Sequence, residues 1–140
     1  MNQRIFVDTN VLMDVLLECQ PHYDDSAAVW SAVDEHDVVG WVSANSFTTM
    51  YYLLRRFLTP AAARESIQEV RAIFSIAPVN AALIEKALYS PFDDFEDAVQ
   101  YECALRVKAT TIITRDERHF RRASISVMTP RAFLASLDLM

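Results

Sequence analysis

Glycine is nearly missing from this chain: among 140 residues, Gly40 stands alone. A dinucleotide-binding fingerprint or a P-loop needs several glycines where backbone meets phosphate, so both are excluded. An all-β fold rich in tight turns is disfavoured for the same reason. Cysteine is scarce too. Cys19 and Cys103 sit in helical-looking segments and suggest neither a disulfide framework nor a Cys-rich zinc site, so a reducing cytoplasm is the expected setting. Long apolar runs are also lacking. Asp8, Asn10 and Asp14 interrupt the first stretch, which leaves no signal-peptide core and no membrane span. Basic charge is in deficit: 13 Lys and Arg against 19 Asp and Glu give a net charge of -6. Such a chain is a poor generic nucleic-acid binder, although a cation held in an acidic site reverses the sign locally.

What is present is a chain that is 52% hydrophobic, enough to bury a normal core as one domain over residues 1–140. Residues 4–7, 38–42, 75–79, 111–114 and 126–128 read as short buried strands by their β-branched and aromatic content. Helical spacing follows each. Val11, Leu12, Val15 and Leu16 begin the first helix, which Pro21 breaks, and Asp24, Asp25 or Ser26 is expected to cap the next. Ser43, Thr59-Pro60, Asn80, Asp94 and Thr129-Pro130 mark later helix starts, and 116–122 reads as a short helix or loop. Strands alternating with helices predict an α/β fold of three α/β/α layers, with a mainly parallel central sheet of four or five strands.

Acids recur where such a sheet keeps its ligand crevice, just past the carboxyl ends of strands. Ile5-Phe6-Val7 runs into Asp8, and Thr111-Ile112-Ile113-Thr114 runs into Arg115-Asp116. Between them, Asp93, Asp94, Glu96 and Asp97 crowd the start of one helix, with Asp94 and Asp97 on the same face of its first turn. Each acid has a plain alternative. Asp8 would serve as a helix cap, Asp94 with Asp97 resembles a capping box, and Asp116 would pair with Arg115 or Arg118 on the surface. Four acids within five residues exceed what capping requires, and a hard cation such as Mg²⁺ or Mn²⁺ suits oxygen donors. Asp93 and Glu96 are assigned to solvent. Arg115, Arg118, Arg121 and Arg122 lie beside the acids and suit phosphate, or else form a solvated basic face. Arg55 and Arg56 end a helix. Phe120, Tyr51 and Tyr52 are candidates for base stacking or for core. His22, His36 and His119 show no zinc spacing and read as surface residues.

The chain resembles the PIN-domain family. The resemblance rests on "VDTNVLMDVLL" at 7–17, "VSANSFTTMYYLLRR" at 42–56, "FDDFEDAVQYECALRVKATTIITRD" at 92–116 and "VMTPRAFL" at 127–134. The resemblance implies a Mg²⁺- or Mn²⁺-dependent endoribonuclease that leaves a 5′-phosphate and a 3′-hydroxyl. It implies metal ligation by Asp8, Asp97 and Asp116, with Asp94 as an extra acid of the "DFEDA" branch and Asn10 and Thr114 in support. Many bacterial relatives are toxins of the VapC type held by a cognate antitoxin, and pairing as a homodimer is common. One departure stands out. Many family nucleases carry a Glu near the position of Thr49, yet residues 43–56 contain no acid. A catalytically degenerate module that binds RNA or protein is therefore the rival reading. A phosphatase of the haloacid-dehalogenase type, with Asp8 as nucleophile, expects a second Asp where Asn10 stands.

Overall fold

The computed structural model describes residues 2–138. Five strands, β1 (Arg4–Val7), β2 (Val39–Ser43), β3 (Ser75–Ala77), β4 (Thr111–Ile113) and β5 (Ser126–Met128), form one sheet in the order β3-β2-β1-β4-β5. Every neighbouring pair is parallel. The helices are α1 (Thr9–Leu16), α2 (Tyr23–Asp34), α3 (Ala44–Leu54), α4 (Pro60–Ile73), α5 (Ala81–Leu88), α6 (Phe95–Arg106) and α7 (Pro130–Asp138), with a 3₁₀ turn at Glu117–Phe120. Among the described residues, no helix is long and apolar enough to cross a membrane.

A parallel sheet covered on both faces reads as continuous apolar runs rather than alternation. The period of two still decides which core each side chain joins. Ile5, Val7, Val42 and Ile113 face one core, shared with α1, α2, α3, α4 and α7. Phe6, Ala77 and Ile112 face the other, shared with α5, α6 and Phe120. The expected helix starts at Ser43, Thr59, Asn80 and Asp94 are all N-caps whose side-chain oxygens accept from backbone N–H groups.

Three local expectations are corrected. Helix α2 begins at Tyr23 after His22, so Asp24, Asp25 and Ser26 lie within its first turns. Ser26 is buried, and its hydroxyl donates to Asp14 Oδ2 at 3.1 Å; that tertiary bond takes the side chain away from capping. Cys19 lies beyond the end of α1 in the connecting turn, while Cys103 is in α6 as expected. Phe120 is buried in the core, 1% exposed, and is closed to any base.

The sheet order reverses at β1. Chain order runs from β1 toward β2 and β3 on one side and returns to β4 and β5 on the other. A crevice forms at such a switch point, above the carboxyl ends of β1 and β4. The Asp8 N–H donates to the Ile113 carbonyl at 2.9 Å, so the pairing of β1 with β4 extends to the residue that enters the crevice.

Gly40 sits opposite Ile5 in β2. A methyl group there would lie 2.8 Å from both Phe74 Cδ2 and Val33 Cγ2, closer than real contacts allow. Both neighbours are buried, so neither can swing into solvent. Gly40→Ala should cost about 1–3 kcal/mol in a urea unfolding titration. An unchanged midpoint would mean that α2 and α4 are packed more loosely against β2 than this geometry has them.

Candidate active site

Asp8 occupies the N-cap position of α1, yet its side chain makes no capping hydrogen bond. It is 5% exposed. Its Oδ1 accepts from Gln100 Nε2 at 3.0 Å, and its Oδ2 accepts from Thr114 Oγ1 at 2.8 Å. The helix-cap reading of Asp8 therefore fails, and the carboxylate is held instead by α6 and the end of β4. Gln100 also receives the Thr9 N–H at 3.4 Å, and Thr9 Oγ1 meets Ser46 Oγ of α3 at 2.7 Å. Thr114 Oγ1 accepts the Asp116 N–H at 3.2 Å, which ties the loop after β4 to the same carboxylate.

Asp94 does cap α6, accepting from the Asp97 N–H at 3.0 Å. Asp97 lies inside the first turn with its side chain 14% exposed. Burial raises its pKa to about 7, helped by the negative charges of Asp94 and Asp8, and opposed by His119. Glu96 is pushed up as well, first by burial and then by Asp8 and Asp94. Glu96 is exposed, as expected of a solvent residue, and it also borders the cavity of Asp8. Asp116 is paired: Arg118 Nε is 3.2 Å from Oδ1 and His119 Nε2 is 3.2 Å from Oδ2. The Arg118 hydrogen bond holds the Asp116 pKa below its usual value.

Two adjoining cavities meet at this crest of acids. One, of about 480 Å³, is lined by Asp8, Asn10, Thr49, Glu96 and Gln100; the other, of about 460 Å³, by Phe92, Asp116, Arg118 and Arg122. Asp94, Asp97 and His119 line both. The acids thus share one neighbourhood, with Asp8 and Asp116 on opposite sides. Among the described residues, no three His, Cys, Asp or Glu side chains stand close enough together to enclose a metal ion. The donors are nonetheless hard oxygens, as Mg²⁺ or Mn²⁺ requires. Asn10 Oδ1 is buried without a hydrogen-bond partner and borders the Asp8 cavity. That orphaned acceptor and the crowded carboxylates fit a hydrated cation that keeps several of its own waters. Thr49 lines the same wall, its hydroxyl spent on the Asn45 carbonyl at 3.3 Å.

The four arginines part ways. Arg115 pairs with buried Asp14 at 3.1 Å, Arg118 with Asp116, and Arg121 with Asp93 at 3.2 Å. Arg122 lines the acidic cavity, and among the described residues it forms no ion pair. Sequence reasoning missed Gln100 and His119. Gln100 follows Asp97 by three positions and His119 follows Asp116 by three, a spacing that puts each beside its acid on a helical turn.

A parallel α/β sheet with an acidic crest at its switch point defines the class of fold, and the comparisons narrow it. Residues 4–118 match the PIN domain family, and this chain belongs to it. Over 137 residues it is 28% identical to Ribonuclease VapC1 of Aquifex aeolicus, covering 94% of both chains. Its fold is similar to that of VapC20 of Mycobacterium tuberculosis, described as a sarcin-ricin loop cleaving toxin, with a TM-score of 0.68, 17% identity and coverage of 84% of this chain and 94% of that one. It also resembles VapBC-1 from nontypeable Haemophilus influenzae, with a TM-score of 0.68, 14% identity and coverage of 92% and 99%. For FitAcB from Neisseria gonorrhoeae the TM-score is 0.66, with 20% identity and coverage of 91% and 98%.

The Asp14–Arg115 pair gives a prediction with a sign. Burial raises the Asp14 pKa from its ordinary 3.8, opposed by Arg115. Without Arg115 the charged carboxylate would stand in the protein with only Ser26 to bond it. Arg115→Ala should cost about 1–3 kcal/mol at neutral pH. Because a raised carboxylate pKa favours the protonated folded state, the loss should shrink as pH falls toward the ordinary value. Thermal melts at pH 7 and pH 4 would test it; an equal loss at both would mean that Arg115 acts by packing alone.

Proposed function

We propose that this chain is a metal-dependent endoribonuclease, acting as the toxin of a toxin–antitoxin pair. The observation that carries this reading is the state of Asp8: a buried carboxylate at a strand end, released from capping and oriented by Gln100 and Thr114 beside the crowded Asp94–Asp97 turn. A helix-capping acid would spend its oxygens on backbone N–H groups instead. The printed identity of the Aquifex aeolicus relative as a ribonuclease supports the substrate class. The VapBC and FitAcB neighbours, and a toxin–antitoxin complex from Klebsiella pneumoniae, support an antitoxin as partner.

In this reading Asp8, Asp97 and Asp116 hold Mg²⁺ or Mn²⁺, with Asp94 directly or through water and Asn10 Oδ1 in support. When bound, the cation lowers the pKa of water and offsets the charge that develops on the attacked phosphate. Gln100 and Thr114 fix the direction of the Asp8 oxygens, as outer partners of metal ligands do. Glu96 adds a carboxylate on the wall where Thr49 has none. His119 bridges Asp97 and Asp116, at 3.8 and 3.2 Å, and steadies the two acids against their mutual repulsion. Arg122 grips the RNA backbone, while Arg115, Arg118 and Arg121 act mainly through the acids they pair with. Water adds across the P–O bond, leaving a 5′-phosphate and a 3′-hydroxyl.

The acid-free α3 favours a second reading, a module that binds RNA without cutting it. The two are separated by cutting pooled single-stranded RNA with Mg²⁺, with Mn²⁺ and with EDTA. The nuclease reading expects cleavage that needs metal and falls by roughly a hundredfold or more in Asp8→Asn, with the far-UV spectrum unchanged. Titration calorimetry should find a Mn²⁺ site that weakens in both Asp8→Asn and Asp97→Asn. Full cleavage by Asp8→Asn would overturn the site; folded protein that neither cuts RNA nor takes up Mn²⁺ would favour the binding module.

A further inference from the structure

A further cavity opens between the end of α5 and the middle of α6, with a volume of about 570 Å³. That is ample for a small planar ligand. Lys86, Tyr89, Phe92, Tyr101, Glu102 and Arg122 are among its walls. Glu102 is its unusual member. The residue is only 5% exposed, and among the described residues its carboxylate accepts no hydrogen bond and joins no ion pair. Its oxygens are not among the side-chain atoms sealed from solvent without a partner, so these open acceptors reach water through the cavity that Glu102 lines.

The rest of the wall suits a base. Tyr89 is 82% exposed, a large aromatic that the fold leaves uncovered. Phe92 stacks on Tyr101 with ring centroids 4.8 Å apart and planes 29° from parallel, which stiffens the opposite side. Phe92 and Arg122 also line the acidic cavity of Asp116, so the two spaces adjoin. An RNA strand with its scissile phosphate at the acids would carry a neighbouring nucleotide into this second space, past the unpaired guanidinium of Arg122.

Taking the ribonuclease reading as its premise, we propose that this cavity is a nucleobase subsite that selects guanine. Tyr89 offers the stacking face. The two Glu102 oxygens accept from the N1–H and the exocyclic amino group of guanine. Only guanine presents two adjacent donors on its Watson–Crick edge. Adenine and cytosine put one amino donor beside a ring acceptor, and uracil sets one donor between two acceptors. Unpaired bases are read in this manner, by stacking plus hydrogen bonds to that edge. Arg122 takes the phosphate between the subsite and the acids.

The test uses labelled oligo-U hexamers with G, A, C or U at one central position. Their affinities are measured by fluorescence anisotropy in EDTA, and cut sites in pooled RNA are mapped with Mn²⁺. The G hexamer should bind roughly tenfold tighter than the others, and mapped cuts should carry a G at a fixed distance. Glu102→Gln should erase both preferences, with the far-UV spectrum unchanged. Tyr89→Ala, at an exposed position that folding does not need, should weaken the G hexamer roughly fivefold. Equal affinities for all four hexamers, or a G preference that survives Glu102→Gln, would overturn the subsite; so would cut sites unchanged in Tyr89→Ala. If Tyr89→Ala instead dissolves a dimer and keeps the G preference, the face is a protein interface and the subsite fails. Metal-dependent cutting without a G preference sinks this inference alone, whereas protein that neither binds nor cuts RNA sinks the ribonuclease reading with it.

Discussion

The structure turns on holding one charged carboxylate, Asp8, nearly out of water at the end of an apolar strand. A buried anion is stable only if hydrogen bonds replace its hydration. Gln100 and Thr114 provide those bonds, from α6 and from the end of β4. Both are neutral donors. An arginine in their place would satisfy the charge more strongly and would also neutralise it. Neutral donors orient Asp8 while preserving its negative charge for a ligand. The same bonds join chain segments 92 and 106 residues apart, so the site and the β1–β4 half of the fold stand or fall together.

Charge elsewhere in the crevice follows a different rule. Asp14, Asp93 and Asp116 each have a guanidinium within 3.2 Å. Among the described residues Asp94, Glu96 and Asp97 have none; burial raises the pKa of Glu96 and of Asp97, and the charges of Asp94 and Asp8 raise both further. A net charge of -6 is therefore not spread evenly: some local acids are matched by bases, and the unmatched ones crowd the start of α6 beside Asp8. Pairing an exposed acid is worth little. Crowding several unmatched acids into one turn is costly, and that set rather than the total charge is the basis for proposing a cation there.

The sheet and its order of elements were legible because parallel strands buried on both faces leave a plain apolar signature, and because Ser43, Thr59, Asn80 and Asp94 are caps whose partners lie two or three residues away. Local chemistry determines local structure there. Asp8 was legible as a candidate because it puts a charge at the end of Ile5-Phe6-Val7, although helix capping explained it equally well from the sequence. Gln100 was not, because its partners Asp8 and Thr9 are 92 and 91 residues away. His119 was dismissed for want of zinc spacing, although its three-residue offset from Asp116 was available. The arginines were legible only as a cluster. Their clustering in sequence suggested a phosphate-binding face, but tertiary contacts divert Arg115 to Asp14 and Arg121 to Asp93. Only Arg122 remains unengaged among them.

Helix α6 shows how much one element can be asked to carry. It is buried continuously from Ala98 to Ala104, yet three of those seven residues, Gln100, Tyr101 and Glu102, bear polar side-chain groups. Two are accounted for within the fold: Gln100 holds Asp8, and the Tyr101 hydroxyl meets Ser124 Oγ at 2.8 Å. Glu102 is the exception. A buried helix gains its stability from apolar packing, so an ionisable group with no internal partner opposes the packing around it. Water in the adjoining cavity meets its oxygens, and a ligand there would take that water's place. Gln100 and Glu102 are two residues apart and diverge around the helix axis, one toward the acidic crest and the other toward the cavity beside α5. If both are functional, a single rigid helix sets the distance between the bond to be cut and the base that is read, and that distance cannot vary without dislodging Asp8 itself.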